Sequence, residues 1–223
     1  MLNCSVIPIA YVFSGISDFM LRGGPVMWPL LICSLISLSI TLERILFWCR
    51  KRRTKQQNTL IEEMFQYTEN GDFTHALQLG KGQSDSTLHV LFSGLQHRTY
   101  GSAESMAMAA NDEIAGMKHG LSVLDTIITM APLLGILGTV TGIIRSFHLL
   151  STSKIMDPSA VTGGIAEALI TTATRLVIAL VTLMPLNAFI SKVQMEARRL
   201  ERAITRFEAA YKKGLEHASD NRI

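Results

Sequence analysis

An uncharged run of 19 residues, residues 126–144, limits the folds open to this chain more than any other feature. As an α-helix, at roughly 1.5 Å per residue, the run would be about 28 Å long, close to the roughly 30 Å of a bilayer's hydrocarbon core. Gly135, Gly138 and Gly142 recur in it at spacings of three and four, so they share one face that another backbone can approach closely. The run therefore predicts a membrane-spanning helix that packs against protein.

The overall composition fits a membrane protein better than a soluble domain. Hydrophobic residues make up 48% of the chain and charged residues only 17%. Three long stretches are uncharged or nearly so, which predicts an all-α membrane protein with three transmembrane helices. The net charge of +3 is too small to indicate nucleic-acid binding, and Cys4, Cys33 and Cys49 lack the spacing of a disulfide framework or a metal site.

Residues 1–22 allow two interpretations. The segment has no charge before Asp18, no basic start and no small-residue cleavage box, so it does not read as a secretory signal. One interpretation is an interfacial helix on the periplasmic face of the membrane, with Val12, Ile16 and Phe19 on its buried side. The other, equally supported, is a frayed terminus.

Residues 23–49 are predicted to form the first span, with Trp28 and Trp48 near its two ends. Glu43 and Arg44 are interpreted as an interfacial pair whose side chains snorkel, in preference to a transport role. A basic cluster follows the span and, by the positive-inside rule, places this end in the cytoplasm and the amino terminus outside: Arg50, Lys51, Arg52, Arg53 and Lys55.

Residues 50–120 are predicted to form a cytoplasmic helical domain. Its helices are expected to break at Asn70-Gly71 and at Gly82. From residue 105 onward we expect one helix to continue unbroken through Gly120 into the second span. Apolar residues at helical spacing make the stripes that should face its core: Leu60, Met64, Phe65, Ala76, Leu77, Leu79, Leu88, Leu91, Phe92 and Leu95.

The second half of the chain contains two further spans. Residues 121–149 should cross outward with a kink at Pro132, residues 150–157 should form an external loop, and Asp157-Pro158 should start the next helix. Residues 158–191 should return to the cytoplasm, and residues 192–223 continue as a basic amphipathic helix and tail. Helices two and three are therefore expected to extend into the cytoplasmic helical domain.

The third span carries polar residues that are costly in lipid. Glu167, Thr171, Thr172 and Arg175 fall within one broad face at about 100° per residue. A charge at mid-membrane costs roughly 2.5 to 3.5 kcal/mol unless it is paired or hydrated, so such residues are candidates for function. A structural hydrogen bond is an equally good explanation of Glu167, and Thr139 and Thr172 can each bond their own helix carbonyls. Together they suggest a polar lining shared by the second and third spans.

These residues also stand in a recognisable arrangement. The chain has GILGTVTGII at residues 135–144 with Phe147, AEALITTA at residues 166–173, then Ala179 and Asn187. Gly24-Pro25 and Leu42-Glu43-Arg44 lie in the first span. Over about residues 22–187 the chain resembles the MotA/TolQ/ExbB proton-channel subunits, and within them the ExbB and TolQ branch.

This resemblance implies a specific machine. Five copies of the subunit would form a ring in the bacterial inner membrane, with the second and third helices around a central pore that holds a pair of single-span ExbD- or TolR-like partners. The partner's aspartate would take up a proton, while Thr139, Thr172 and Glu167 shape the polar path. The motion would pass to a TonB- or TolA-like protein. The coupling ion would be the proton, with no cofactor.

Two residues depart from the family pattern. Arg175 stands where the family usually has Gly, and Val181 stands where it usually has Pro, with Pro185 four residues later. One hypothesis is that Arg175 faces the pore and pairs with Glu167 of a neighbouring subunit or with the partner's aspartate, whose pKa it would lower. The alternative is that Arg175 reaches a water-filled vestibule without a specific role.

Two other classes of function compete with the motor. A non-conducting oligomeric membrane scaffold would use the glycine-containing helices only for association, and it would not depend on Thr172 or Glu167. An enzyme has little support, because no nucleophile, metal or cofactor arrangement occurs in the sequence.

Overall fold

The computed structural model of the chain describes residues 23–51, 55–83, 85–98, 101–152 and 158–220. Within these ranges the structure is helical and contains no strand. The helices are α1 (Met27–Arg50), α2 (Lys55–Glu69), α3 (Phe73–Gly80), α4 (Ser86–Gln96), α5 (Ser102–Lys118), α6 (Leu121–Thr152) and α7 (Pro158–Asp220).

Three of the described helices contain stretches long and apolar enough to cross a membrane: Met27–Arg50, Leu121–His148 and Thr162–His217. The prediction of an all-α membrane protein with three transmembrane helices is therefore confirmed. The chain divides into two compact units. We call residues 1–43 with 120–187 the spanning unit, and residues 44–119 with 188–223 the bundle unit.

The short helices of the bundle unit begin and end where the sequence predicts. α2 ends at Glu69, and Gly71 adopts φ +77°, a left-handed conformation that glycine adopts without steric cost. The Asp72 side chain caps α3 by accepting from the His75 N–H at 3.2 Å. Asp85 caps α4 by accepting from the N–H groups of Thr87 and Leu88 at 2.8 and 3.3 Å. The predicted breaks at residues 70–71 and at residue 82 are confirmed.

The bundle unit has a core of large apolar side chains. Phe65 and Phe207 lie with their ring centroids 6.4 Å apart, and Phe207 also stacks on Tyr211. The predicted stripes supply six of the 14 buried members of this core, which are Ile61, Met64, Phe65, Ala76, Leu88, Val90, Leu91, Leu95, Met106, Ala109, Ala110, Leu200, Phe207 and Ala210. The amphipathic pattern therefore identified the packed faces correctly.

The expectation of one unbroken helix through residue 120 is wrong. α5 ends at Lys118 and α6 begins at Leu121, with the N–H of His119 bonded back to the Gly116 carbonyl. Gly120 adopts φ +75° at the position just after the helix end, where a left-handed glycine commonly terminates a helix. The sequence rule that a single glycine only weakens a helix did not anticipate this conformation.

Arg44 does not snorkel, so that part of its interpretation is also wrong. The residue is only 3% exposed, and its Nη1 donates to the carbonyl oxygens of Gly116 and Met117 at 3.3 and 3.5 Å. Its guanidinium also lies 4.7 Å from the centre of the Phe47 ring. The last carbonyls of a helix lack intrahelical partners and carry partial negative charge, which makes the end of α5 a favourable place for a buried cation.

The ends of the predicted spans differ from the sequence boundaries by a few residues. α1 begins at Met27, because residues 23–26 form a turn in which Gly24 adopts φ +72°. α6 continues to Thr152, and α7 begins at Pro158. The proposed interfacial helix in residues 1–22 and most of the proposed loop, residues 153–157, lie outside the described residues.

Candidate functional site

In the spanning unit, α6 packs on α7 through a ridge of small residues. A Cβ added at Gly142 would lie 3.2 Å from the Gly164 carbonyl oxygen, and one added at Gly138 would lie 2.7 Å from the Thr171 Cγ2 atom. Both distances are shorter than ordinary contacts, so the two helices meet at backbone distance. The buried positions of the ridge are Ala131, Gly135, Gly138, Gly142 and Ser146.

Large apolar side chains of the spanning unit mostly point away from this ridge. Residues such as Leu133 and Leu169 are each 65% exposed. In a soluble protein a surface of this kind would be costly, but hydrocarbon or another apolar helix can cover it. Further members of this surface are Trp28, Leu35, Leu38, Ile136, Leu137, Ile144, Phe147, Leu176, Val177, Leu180 and Val181.

Thr171 connects α7 to the turn that precedes α1. Its side chain is fully buried, and Oγ1 lies 2.9 Å from the carbonyl oxygens of both Gly23 and Glu167. One hydroxyl proton serves two acceptors, one of them on its own helix. Among the predicted polar residues, Thr171 therefore has a definite packing contact within the chain.

Thr172 differs from the other threonines that line these helices. The hydroxyls of Thr139 and Thr174 bond the carbonyls of Ile136 and Ile170 on their own helices, at 2.7 and 2.8 Å. The Oγ1 atom of Thr172 is buried, yet it has no hydrogen-bond partner in the described part of the chain. The own-carbonyl explanation thus applies to Thr139 but not to Thr172.

Glu167 lies against the turn before α1 and pairs with a cation from α6. A Cβ at Gly24 would overlap the Glu167 carboxylate, so that glycine leaves room for it. The Arg145 Nη1 lies 3.6 Å from Glu167 Oε1, with side-chain exposures of 59% and 21%. This pairing was missed in the sequence analysis. A signal was available, since an antiparallel neighbour brings the end of one span beside the start of the next.

Arg175 occupies the space that Gly135 leaves open. A Cβ at Gly135 would overlap the arginine's aliphatic stem, and the guanidinium Nη1 donates to the Pro132 carbonyl oxygen at 3.3 Å. The Nε atom is buried without a partner among the described residues. Within one chain, therefore, Arg175 bonds the proline-containing stretch of α6, while Glu167 pairs with Arg145.

A further polar contact escaped the sequence analysis. Ser37 of α1 and Thr182 of α7 are both buried, and their hydroxyl oxygens lie 2.7 Å apart. Thr182 can also donate to the Ile178 carbonyl at 2.7 Å, so both hydroxyls are satisfied. The only signal in the sequence was that both residues are small and polar and lie within apolar helices.

The polar groups of α7 follow one another along the helix. Glu167 and Arg175 are eight residues apart, which corresponds to about 12 Å of helix at roughly 1.5 Å per residue, and Thr172 lies between them. The row offers a carboxylate, a hydroxyl without a partner and a guanidinium with an unused N–H. Such groups in a membrane span can orient water, carry charge or form a hydrogen bond or ion pair with a polar group of another chain.

Apolar spans that pack on small residues, with this polar row inside them, define a polytopic α-helical membrane protein with ionisable groups in its spans. The sequence pattern of the MotA/TolQ/ExbB proton channel family matches residues 83–202, and the chain belongs to that family.

Individual relatives lie in the ExbB and TolQ branch. The chain is 34% identical to the ExbB-like protein 1 of Synechocystis over 187 residues, which cover 78% of this chain and 70% of that protein. It is 26% identical to the biopolymer transport protein ExbB of Salmonella typhimurium over 75% of this chain and 72% of that protein. It is 38% identical to the Tol-Pal system protein TolQ of Haemophilus influenzae over 39% of this chain and 38% of that protein.

Proposed function

We propose that this chain is the ring-forming subunit of a proton-motive-force-driven motor in the bacterial inner membrane. In this proposal five copies form the ring, with the amino terminus periplasmic and the carboxyl terminus cytoplasmic. A pair of ExbD- or TolR-like single-span proteins occupies the central pore, and a TonB- or TolA-like protein receives the motion. Protons are the coupling ion, and no cofactor takes part. Membership in a proton-channel family and relatives named ExbB and TolQ support this assignment.

The observation that carries the proposal is the unpartnered hydroxyl of Thr172. Thr139 and Thr174 satisfy their hydroxyls within their own helices, whereas Thr172 Oγ1 is buried and does not. A buried polar atom without a partner costs about 1 to 3 kcal/mol, so a second chain or water is expected to bond it in the working assembly. A polar path between the ring and its central partners would supply such a bond.

Glu167 and Arg175 extend the same path in this proposal. The partner's carboxylate must lose its charge to pass an apolar wall, and a cation nearby favours its ionised form. The Nε of Arg175 is buried without a partner among the described residues, and in the assembly the guanidinium would turn toward that carboxylate or toward Glu167 of a neighbouring subunit. Arg145 already offsets the charge of Glu167 within one chain. The polar row would then bind and release the partner's aspartate in turn.

The assembly is tested by purifying the chain together with a co-expressed single-span protein that carries an aspartate in its span, and counting subunits by native mass spectrometry. Five copies with two partner chains would support the motor. A stable ring that never retains such a partner would instead favour the non-conducting scaffold.

The path is tested in vesicles that contain the assembled complex, by measuring proton flux for Thr172→Val. We expect flux to fall by at least about tenfold, because about 1.4 kcal/mol in a barrier is tenfold in rate and one buried polar contact is worth that much. Thr174→Val is the matched control, since its hydroxyl bonds only its own helix. Equal flux in wild type and Thr172→Val, with the complex intact, would contradict the proposed path.

A further inference from the structure

A cavity of about 550 Å³ opens in the bundle unit, within the size range of small-molecule sites, about 300 to 1,000 Å³. Its walls come from the end of α1, the start of α4 and the middle of α7. Trp48 and Lys192, which both line it, stand where the apolar stretches of α1 and α7 give way to charged sequence. The cavity therefore lies at a level of the chain where interfacial residues are expected.

The cavity is lined by four cations and two carboxylates. Lys51 pairs with Glu113 at 3.3 Å, and Arg199 lies 4.0 Å from Glu196. Arg50 and Lys192, by contrast, have no carboxylate partner in the part of the chain that the structure describes.

The two carboxylates of the cavity are already engaged. Asp85 is buried, and its Oδ1 accepts from the first N–H groups of α4. Glu196 is the acid near Arg199. The cavity therefore presents a surplus of positive charge, and Arg50 and Lys192 are its cations without a carboxylate partner among the described residues.

Trp48 adds an interfacial aromatic group to the lining of the cavity. Its indole Nε1 is buried and has no hydrogen-bond partner among the described residues, although buried indoles usually have one. The Lys192 Nζ lies 5.7 Å from the centre of the Trp48 ring system. The Lys192 ammonium therefore lies near the Trp48 ring, and its N–H groups can donate to an anionic oxygen.

The remaining wall of the cavity is apolar. Ile45 and Met195 are 44% and 55% exposed, and the buried Phe189 also lines the cavity. A soluble anion would gain nothing from these side chains. A ligand with both a phosphate and a hydrocarbon chain would use the cations and the apolar wall together.

We propose that this cavity binds the headgroup of an anionic phospholipid, with the phosphate at Arg50 and Lys192 and the acyl chains along Ile45 and Met195. Basic pockets beside membrane-spanning helices are established sites for such headgroups. The inference rests on the membrane-spanning fold and not on the motor function, so the two can fail separately.

The test uses the Trp28→Phe variant of the whole chain in phospholipid bilayers. This substitution leaves Trp48 as the single tryptophan. Quenching of its fluorescence by lipids with brominated acyl chains gives the binding of phosphatidylglycerol relative to phosphatidylcholine. At low ionic strength we expect phosphatidylglycerol to be favoured by about tenfold or more, because Arg50 and Lys192 act on one headgroup. Equal binding of the two lipids would overturn the proposal.

The charged residues are tested by the double variant Arg50→Gln, Lys192→Gln. We expect the preference for phosphatidylglycerol to fall to near equality. Lys81→Gln, Lys212→Gln removes the same charge at exposed positions outside the cavity and should keep the preference. If both double variants lose the preference for phosphatidylglycerol equally, that preference comes from net charge and the proposed site is refuted.

Two further outcomes identify other occupants. Displacement of the lipid by millimolar glycerol phosphate would mean that the cavity takes a soluble phosphate compound, and the lipid proposal would be wrong. Quenching that weakens as the protein-to-lipid ratio rises would mean that a second copy of the chain covers the cavity, which would overturn it as well. Insensitivity to both conditions is the result that supports a lipid site.

Discussion

The spanning unit and the bundle unit are built from helices of the same chain but pack by opposite rules. In the bundle unit the buried side chains are large, with Phe65, Phe207, Leu88 and Leu91 all at most 3% exposed. In the spanning unit α6 and α7 approach each other at glycine, alanine, serine and threonine, with the Arg175 stem against Gly135, while residues such as Leu169 face outward.

The difference follows from the solvent each unit requires. Burial of large apolar groups stabilises a fold in water, because it removes hydrocarbon from water. Between helices in lipid that force is absent, so close backbone approach and hydrogen bonds between small polar side chains take its place. Ser37 with Thr182, and Thr171 with Gly23, are contacts of this second kind. The small-residue ridge is therefore a consequence of the membrane as much as a sign of function.

The largest expected effect comes from removing a large core side chain of the bundle unit. Phe207→Ala would leave a cavity beside Phe65 and Tyr211, and such changes cost about 3 to 5 kcal/mol. We expect urea to unfold the bundle unit of the variant at a markedly lower concentration, measured by circular dichroism of the detergent-solubilised protein.

Phe147→Ala is the matched control in the spanning unit, where the ring is 65% exposed. Its truncation should leave the urea transition where it is in the wild type. If the two variants shifted the transition equally, the two packing rules would not be distinct.

The second prediction probes the small-residue ridge with two adjacent glycines. A Cβ at Gly164 would overlap the Ser146 hydroxyl and lie 3.1 Å from the Gly142 carbonyl oxygen, whereas one at Gly163 meets nothing within 4 Å. We expect Gly164→Ala to destabilise the spanning unit by about 1 to 3 kcal/mol, the usual cost of overpacking. Gly163→Ala should be neutral or stabilising by about 0.5 to 1 kcal/mol, because alanine favours helix.

The measurement is thermal unfolding in detergent, followed by the loss of helical signal for both glycine variants. The two substitutions are adjacent in α7 and have the same effect on helix propensity. They therefore differ only in whether the new methyl group contacts α6. A Gly163→Ala protein as unstable as Gly164→Ala would show that the close approach of α6 and α7 does not stabilise the unit.

The fold was predictable from the sequence to the extent that it depends on periodicity and length. Runs without charge predicted the spans, and the apolar stripes predicted the core around Met64 and Leu88, because both patterns are local. The break at Gly120 was not predictable, since it depends on a left-handed conformation that single glycines adopt only in some contexts. The burial of Arg44 was missed because its acceptors, at Gly116 and Met117, are 72 and 73 residues away.

The candidate site was predictable in its residue types and not in its pairings. Glu167, Thr172 and Arg175 could be identified because polar groups in an apolar helix are rare and costly. Which of them has a partner depends on the neighbouring helix. To predict that Arg145 reaches Glu167 and that Arg175 lies on Gly135, one must know the register of α6 against α7.

The smallest expected effect concerns a titratable cluster in the bundle unit. Burial raises the pKa of Glu113, but the hydrogen bond from Ser86 at 2.5 Å and the charge of Lys51 at 3.3 Å together leave that pKa below 4.5. A lowered pKa means that the ionised form stabilises the fold above about pH 4.5 and that this contribution disappears as the pH falls through the folded-state pKa. We expect Glu113→Gln to cost about 1 kcal/mol at pH 7, because the amide oxygen can still accept from Ser86 but the charge that faces Lys51 is lost.

The pH dependence distinguishes this electrostatic effect from a packing effect. The difference in urea stability between wild type and Glu113→Gln should shrink as the pH falls below 4.5, whereas the cost of Phe207→Ala should not depend on pH. Glu201→Gln, at an exposed position of α7, is the control for loss of a carboxylate. It should change neither the urea stability at pH 7 nor the dependence of that stability on pH. A constant difference at every pH would mean that Glu113 acts through its shape alone. In that case large-side-chain packing would account for the stability of the bundle unit without help from its charges.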